Sequence, residues 1–143
     1  VHVALWTAGE LTAGAVALPA RGVTPTTPSP PPPPVHGGPP RIVVSRTRAP
    51  AAALAVRDAL GGELVEMGSA GAKVAAVVQG RAEVYVHAGG QYEWDSTAPV
   101  AVARAARPDP LLPDLLVCRP EYVESVLAAL RYPPSCLSFL RVR

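Results

Sequence analysis

The chain has 143 residues, 49% of them hydrophobic, which predicts one soluble globular domain with its own core. Thirteen basic and eleven acidic residues give a net charge of +2. Because the arginines are scattered without interleaved aromatic residues, no nucleic-acid partner is expected. No apolar run reaches the roughly 18 residues of a membrane span, so no membrane partner is expected either. Cys118 and Cys136 are too far apart for a CxxC pair and are interpreted as buried reduced thiols.

The first elements predict a β-hairpin followed by a proline-rich loop. "VHVALW" (1–6) and "LTAGAVALPA" (11–20) are strand-like and flank a short turn. Residues 22–40 then form a proline-rich insertion, and proline excludes both a helix and a central strand. We expect the segment from Thr24 to Pro40 to be a solvated loop that packs on nothing. The alternative is a polyproline ligand for an SH3-like or WW-like partner.

From residue 41 onwards, strand and helix patterns alternate. The predicted strands are 41–46, 63–67, 82–88 and 114–118. The predicted helices are 51–60, 70–79, 94–106 and 120–130, with Ser69 as the N-cap of the second and Asp95 or Ser96 as the N-cap of the third. This alternation predicts the α/β class, with a layered αβ sandwich as the architecture.

Two segments place polar groups where α/β folds bind ligands. In "MGSAGAK" (67–73), a glycine-serine turn opens a helix whose free amide groups attract an anion, although any strand-to-helix connection favours the same residues. In "VVSRTR" (43–48), Ser45 and Arg46 end a buried strand, which is the usual position of ligand groups in such folds. The alternative for these arginines is ordinary surface exposure.

The third segment is "HAGGQYEWDSTAP" (87–99), in which aromatic residues surround a carboxylate. An N-cap aspartate would stabilise the following helix by about 1 kcal/mol, but a cap does not require aromatic neighbours. A cap and a ligand therefore both remain open for Asp95.

Together with "LPDLLVCRPEY" (112–122), these segments resemble the CysQ-type 3′(2′),5′-bisphosphate nucleotidases of the inositol monophosphatase family. The resemblance extends over nearly all of the chain to Leu130, apart from the proline insertion. It implies a magnesium-dependent phosphomonoesterase that hydrolyses the 3′-phosphate of 3′-phosphoadenosine 5′-phosphate, a small phosphorylated nucleotide. It further implies a cytoplasmic enzyme that is a homodimer when complete. Magnesium would neutralise the phosphate and position a water molecule, so no covalent nucleophile is required.

The resemblance also assigns roles to residues. Asp95 matches the Trp-Asp motif and is implied to be a Mg²⁺ ligand and catalytic residue. The residues implied to bind substrate are Ser45, Arg46, Gly68, Ser69, Lys73 and His87. His87 stands where relatives carry an arginine for the second phosphate, and the alternative for it is a histidine at the edge of the core.

The family's other metal carboxylates lie in a helix and in an Asp-Pro-Leu-Asp-Gly-Thr type motif that would precede Val1. We therefore expect residues 1–143 to form the C-terminal half of such an enzyme and to be inactive alone. In "ARAARPDPLLPDLL" (103–116), the helix and the following strand are nearly fused, whereas relatives insert a further strand and a glycine-containing turn, which predicts an altered sheet edge. The alternatives are an inositol monophosphatase, and a non-catalytic α/β remnant whose exposed half-interface binds a partner chain.

Overall fold

The computed structural model describes residues 1–30, 36–89, 92–106, 109–111 and 115–132. The strands are β1 (His2–Thr7), β2 (Glu10–Val16), β3 (Arg41–Val44), β4 (Glu63–Glu66), β5 (Val84–Val86), β6 (Asp109–Leu111) and β7 (Leu116–Cys118). The α-helices are α1 (Ala51–Leu60), α2 (Ala70–Val78), α3 (Glu93–Ala106) and α4 (Val123–Ala129). Two 3₁₀ turns, Pro19–Arg21 and Pro120–Tyr122, complete the described elements.

The elements form stacked layers, as the alternating pattern predicted. β1 and β2 form an antiparallel hairpin, and the other strands form a five-stranded sheet in the order β4-β3-β5-β7-β6. In this sheet β3 is parallel to β4 and β5, whereas β7 is antiparallel to β5 and β6. Helices α2 and α3 fill the space between the hairpin and one sheet face, and α1 and α4 cover the opposite face.

Strand alternation explains why both faces of the sheet are apolar. Val43, Tyr85 and Val117 contribute to the core under α2 and α3. Their strand neighbours, including Ile42 and Val84, contribute to the core under α1 and α4. A sheet that is covered on both sides needs such continuous apolar runs rather than an apolar-polar alternation.

A buried ion pair joins the start of β3 to the residue before β5. Glu83 is 1% exposed, and Arg41 Nη2 lies 2.8 Å from its Oε1. Arg41 also donates to Glu83 Oε2 through its backbone amide at 2.7 Å and to the carbonyl of Gly80 at 2.7 Å. Burial favours a higher pKa for Glu83, but the hydrogen bonds from Arg41 outweigh it and hold the pKa below its usual value. The carboxylate therefore stays ionised and fully paired.

The two predicted helix caps have different outcomes. Ser69 is the N-cap of α2, because its Oγ accepts a hydrogen bond from the amide of Ala72 at 3.4 Å. The N-cap prediction for Asp95 or Ser96 is wrong, since α3 already begins at Glu93. The chain turns earlier than predicted, with the Asp95 amide donating to the carbonyl of Tyr92 at 3.0 Å. Asp95 consequently lies in the first turn of α3.

The edge of the sheet next to β7 also differs from the prediction. We expected the strand between α3 and β7 to be nearly absent, but Asp109–Leu111 forms β6 and pairs with β7. Pro110 lies in this strand. Proline is tolerated there because β6 is an edge strand of the described sheet, and the backbone groups on its outer edge have no neighbouring strand there to donate to.

The first part of the proline segment is ordered against the hairpin. The amide of Val16 donates to the carbonyl of Pro25 at 3.0 Å, and the amide of Thr27 donates to the carbonyl of Gly14 at 3.0 Å. Pro25 is buried. The prediction that Thr24 to Pro40 packs on nothing is therefore wrong for residues 24–29, because proline lacks a donor but its carbonyl still accepts from an open strand edge. Residues 31–35 lie outside the described residues.

These contacts divide the proline segment into two parts that are expected to tolerate replacement to different degrees. Replacing residues 30–35 by six Gly/Ser residues is expected to change the free energy of unfolding by less than about 1 kcal/mol, since loop composition costs little entropy when the length is kept. The matched control replaces residues 24–29 and removes buried Pro25 and the Thr27 hydroxyl, so it is expected to cost about 1–3 kcal/mol. Urea unfolding of both variants checks this order. A larger loss from the 30–35 replacement would contradict it.

Candidate functional site

A cleft of about 200 Å³ opens where the carboxyl ends of β3 and β5 meet α2. Its lining residues are Ser45, Thr47, Arg48, Pro50, Lys73, Tyr85, Val86, His87 and Ala88. Ser45 directly follows β3, and His87 directly follows β5, which is parallel to it. Between Ser45 and Arg48 the chain makes a tight turn, closed by a 3.3 Å backbone hydrogen bond. The fold thus gathers polar residues at the carboxyl ends of parallel strands, where α/β proteins bind ligands.

Lys73 is the buried cation of this cleft. Its side chain comes from α2 and is only 4% exposed. The Nζ atom donates to Ser45 Oγ at 2.8 Å and lies 4.9 Å from the centroid of the Tyr85 ring. Burial lowers the pKa of Lys73. Among the residues that the structure describes, no carboxylate pairs with this ammonium. A buried cation without a counter-ion is costly, so this cleft is suited to an anionic ligand.

Tyr85 connects Lys73 to His87. Its hydroxyl lies 3.0 Å from Nδ1 of His87, and the two rings meet edge to face with centroids 6.2 Å apart. Burial, with a smaller contribution from the Asp95 charge, raises the pKa of Tyr85. The phenol therefore keeps its proton, and its oxygen occupies the Nδ1 side of the His87 ring.

The turn before α2 lies beside the cleft without lining it. Ser69 has a φ of 63°, which is unusual for a residue other than glycine. A Cβ atom on Gly68 would lie 3.2 Å from Nη2 of Arg46, so glycine lets the guanidinium pack closely over the turn. Arg46, Gly68 and Ser69 thus form a second group next to the cleft.

Asp95 lies at the start of α3 with its side chain exposed. Its charge influences Tyr85 and also His2, whose pKa is lowered by burial and by the N-terminal ammonium despite the opposing effect of Asp95. The ring of His2 lies so close to Gly71 that a Cβ atom there would overlap it. His2 therefore lies against the first turn of α2, and the charge of Asp95 acts on both His2 and Tyr85.

The described residues provide one part of a metal site. Asp95 supplies a carboxylate oxygen of the kind that Mg²⁺ prefers. Across the described ranges, however, no group of three or more His, Cys, Asp or Glu side chains could hold a metal ion. Asp95 can therefore supply one ligand to a Mg²⁺ ion, but the described residues do not form a complete metal site.

Of the substrate-binding residues predicted from sequence, the structure brings Ser45, Lys73 and His87 together in the cleft. Tyr85, Thr47 and Arg48 line the same cleft but were missed. Tyr85 could have been found, because residues i and i+2 of a strand share a face and "VYVHA" therefore places it beside His87. Buried Cys118 agrees with the predicted thiol, whereas Cys136 lies outside the described residues. In the part of the chain that is described, no helix is long and apolar enough to span a membrane.

Comparison with known proteins agrees with this fold. Residues 41–107 match the model of the inositol monophosphatase family. The chain is 44% identical to the 3′-phosphoadenosine 5′-phosphate phosphatases of Mycobacterium bovis and Mycobacterium tuberculosis, over 91% of this chain and 58% of theirs. It is 41% identical to the Mycobacterium leprae protein of that name, over 92% of this chain and 59% of that protein.

A solved structure shows the same fold. Mycobacterium tuberculosis SuhB superposes with a TM-score of 0.64 at 21% identity, covering 91% of this chain and 62% of SuhB. The chain thus spans about three fifths of the proteins that it matches. The resemblance recognised in the sequence is confirmed, with residues 41–107 matching the inositol monophosphatase family model.

Proposed function

We propose that this chain is the C-terminal part of a magnesium-dependent phosphomonoesterase that removes the 3′-phosphate of 3′-phosphoadenosine 5′-phosphate. The observation that carries the proposal is buried Lys73, which faces a cleft and has no carboxylate partner among the described residues. The names of the mycobacterial relatives support the choice of substrate. An inositol phosphate is the alternative substrate within the family.

In this proposal, the cleft residues bind and orient one phosphate group. Lys73 supplies a positive charge and Ser45 a hydroxyl, and the 2.8 Å hydrogen bond between them fixes both groups before the substrate arrives. His87 faces the ligand with Nε2, because Tyr85 occupies Nδ1. Arg46 provides a second cation beside the cleft, over Gly68, where it can approach the other phosphate.

Phosphatases of this family are generally metal-dependent. When bound, Mg²⁺ neutralises the phosphate and activates a water molecule. We propose that Asp95 is one ligand of that metal and that the other carboxylates lie outside the described residues. Asp95 also adds negative charge near Tyr85, which helps the phenol to keep its proton and therefore to hold His87 in place.

The test is phosphate release from 3′-phosphoadenosine 5′-phosphate, with and without Mg²⁺, by this 143-residue chain and by the full-length gene product. We expect release by the full-length product only, because Asp95 alone does not complete a metal site. Inositol 1-phosphate serves as the control substrate. Turnover by the isolated chain would contradict the assignment of the missing ligands, and an inactive full-length product would overturn the proposed function.

A second candidate function is binding of a partner polypeptide through β1. Among the described strands, β1 pairs with β2 alone, and its Val3, Leu5 and Trp6 are about 60% exposed. Such an apolar strand edge can add a further strand from another chain. In the main proposal, the complete enzyme is a homodimer located in the cytoplasm. The buried thiol of Cys118 suits such a reducing compartment. Self-association alone does not separate the two functions, because a dimer belongs to both; a full-length product that is inactive on both substrates and assembles through β1 would favour partner binding.

A further inference from the structure

Two aromatic side chains stack on each other at the surface where α3 begins. Tyr92 is 67% exposed and Trp94 is 69% exposed. Their ring centroids are 4.4 Å apart and their planes differ by 9°, so they form a parallel stack. Exposed aromatic residues that cluster in this way mark binding surfaces more often than isolated apolar residues do.

The pair makes little contribution to the core. The buried residues of α3 begin at Ala98, one turn after Trp94, and continue along the helix to Ala106. The sequence therefore places two large rings in solvent at the start of a helix whose packing face is built from alanine and valine. Neither ring is required for that packing.

The position of the pair connects it to the cleft. Ala88, which lines the cleft, lies four residues before Tyr92. On the other side, Asp95 directly follows Trp94 and is close enough to Tyr85 for its charge to raise the pKa of the phenol. Along the chain, the stacked rings thus stand between a residue that lines the cleft and the carboxylate of Asp95.

We propose that the Tyr92–Trp94 stack is a platform for the purine base of the nucleotide, an inference that rests on the proposed function. A planar base offers a π-face to the outer side of the stack while its phosphate groups enter the cationic cleft around Lys73. An inositol phosphate has no such face. The platform therefore selects nucleotides over phosphorylated polyols, which phosphate-binding residues alone cannot do.

Substitution of Trp94 tests this selectivity in the full-length gene product. Trp94→Ala is expected to weaken binding of 3′-phosphoadenosine 5′-phosphate by about 10-fold or more, which is the usual effect of losing one base stack. Binding of inositol 1-phosphate should be unchanged within about twofold. Trp6→Ala is the matched control, because Trp6 is 64% exposed but lies on β1. An equal loss for both ligands would mean that the substitution disturbs neighbouring Asp95, and it would overturn the platform.

A second measurement does not depend on catalysis. The chain has two tryptophans, so the Trp6→Phe variant leaves Trp94 as its single indole. We expect 3′-phosphoadenosine 5′-phosphate to quench the Trp94 fluorescence of this variant, and inorganic phosphate at the same concentration to leave it unchanged. Quenching without any phosphate release would support the platform while the proposed function failed. Absence of quenching by the nucleotide would overturn the platform.

Discussion

Asp95→Asn is expected to lower kcat of the full-length gene product by several orders of magnitude, since a neutral amide is a poor substitute for a carboxylate ligand of Mg²⁺. The fold should be affected little. Asp95 is exposed in the first turn of α3, so the substitution removes only a favourable interaction with the helix dipole, worth about 0.3–1 kcal/mol. A large catalytic loss with a small change in stability is the expected result.

Glu124→Gln is the matched control for this prediction. Glu124 is also an exposed carboxylate in the first turn of a helix, but α4 packs on the opposite face of the sheet. The two variants should lose similar stability in thermal unfolding, and only Asp95→Asn should lose kcat and require more Mg²⁺. If Asp95→Asn kept its activity and lost only stability, Asp95 would be a helix-start residue without a role as ligand.

The sequence predicted the layered architecture because its elements are separated by strong local signals. Gly61 adopts the left-handed conformation after α1, and the Ser69 side chain caps α2, so both boundaries are determined by residues whose local chemistry is specific. The buried strands β3 and β5 consist mainly of valine and other large apolar residues, as a sheet covered on both faces requires. These features depend on short segments of the chain and are therefore accessible without a structure.

The errors arose where contacts between distant segments decide the conformation. Pro25 is buried because β2 has an open edge that offers the amide of Val16, and no local pattern around Pro25 indicates this. The start of α3 differs for a local reason, since the turn closed by the Tyr92 carbonyl precedes the residue with the best capping side chain. The hydrogen bond between Lys73 and Ser45 joins residues 28 positions apart, and the sequence could identify both groups without showing their contact.

Lys73→Met is expected to weaken binding of the phosphorylated nucleotide by about 100-fold, because it removes a buried charge that faces the ligand. At the same time it should stabilise the ligand-free chain by about 1 kcal/mol, since an apolar side chain of similar length avoids the cost of burying an ammonium. Ser45→Ala is the control, as it removes the hydroxyl partner and keeps the charge. It should reduce affinity much less and should not raise the melting temperature.

The pH dependence of this stabilisation provides an independent check. Burial lowers the pKa of Lys73 below its ordinary value of 10.5, so the unfolded chain binds more protons than the folded chain between these two values. The unsubstituted chain therefore becomes more stable as pH rises from the lowered pKa towards 10.5. Lys73→Met has no ammonium at this position, so its stability does not rise in this way. The difference in melting temperature between the two should be largest near neutral pH and should shrink towards pH 10.5. A variant that melts lower than the parent at neutral pH and still binds the nucleotide would show that Lys73 supports the core instead of the ligand.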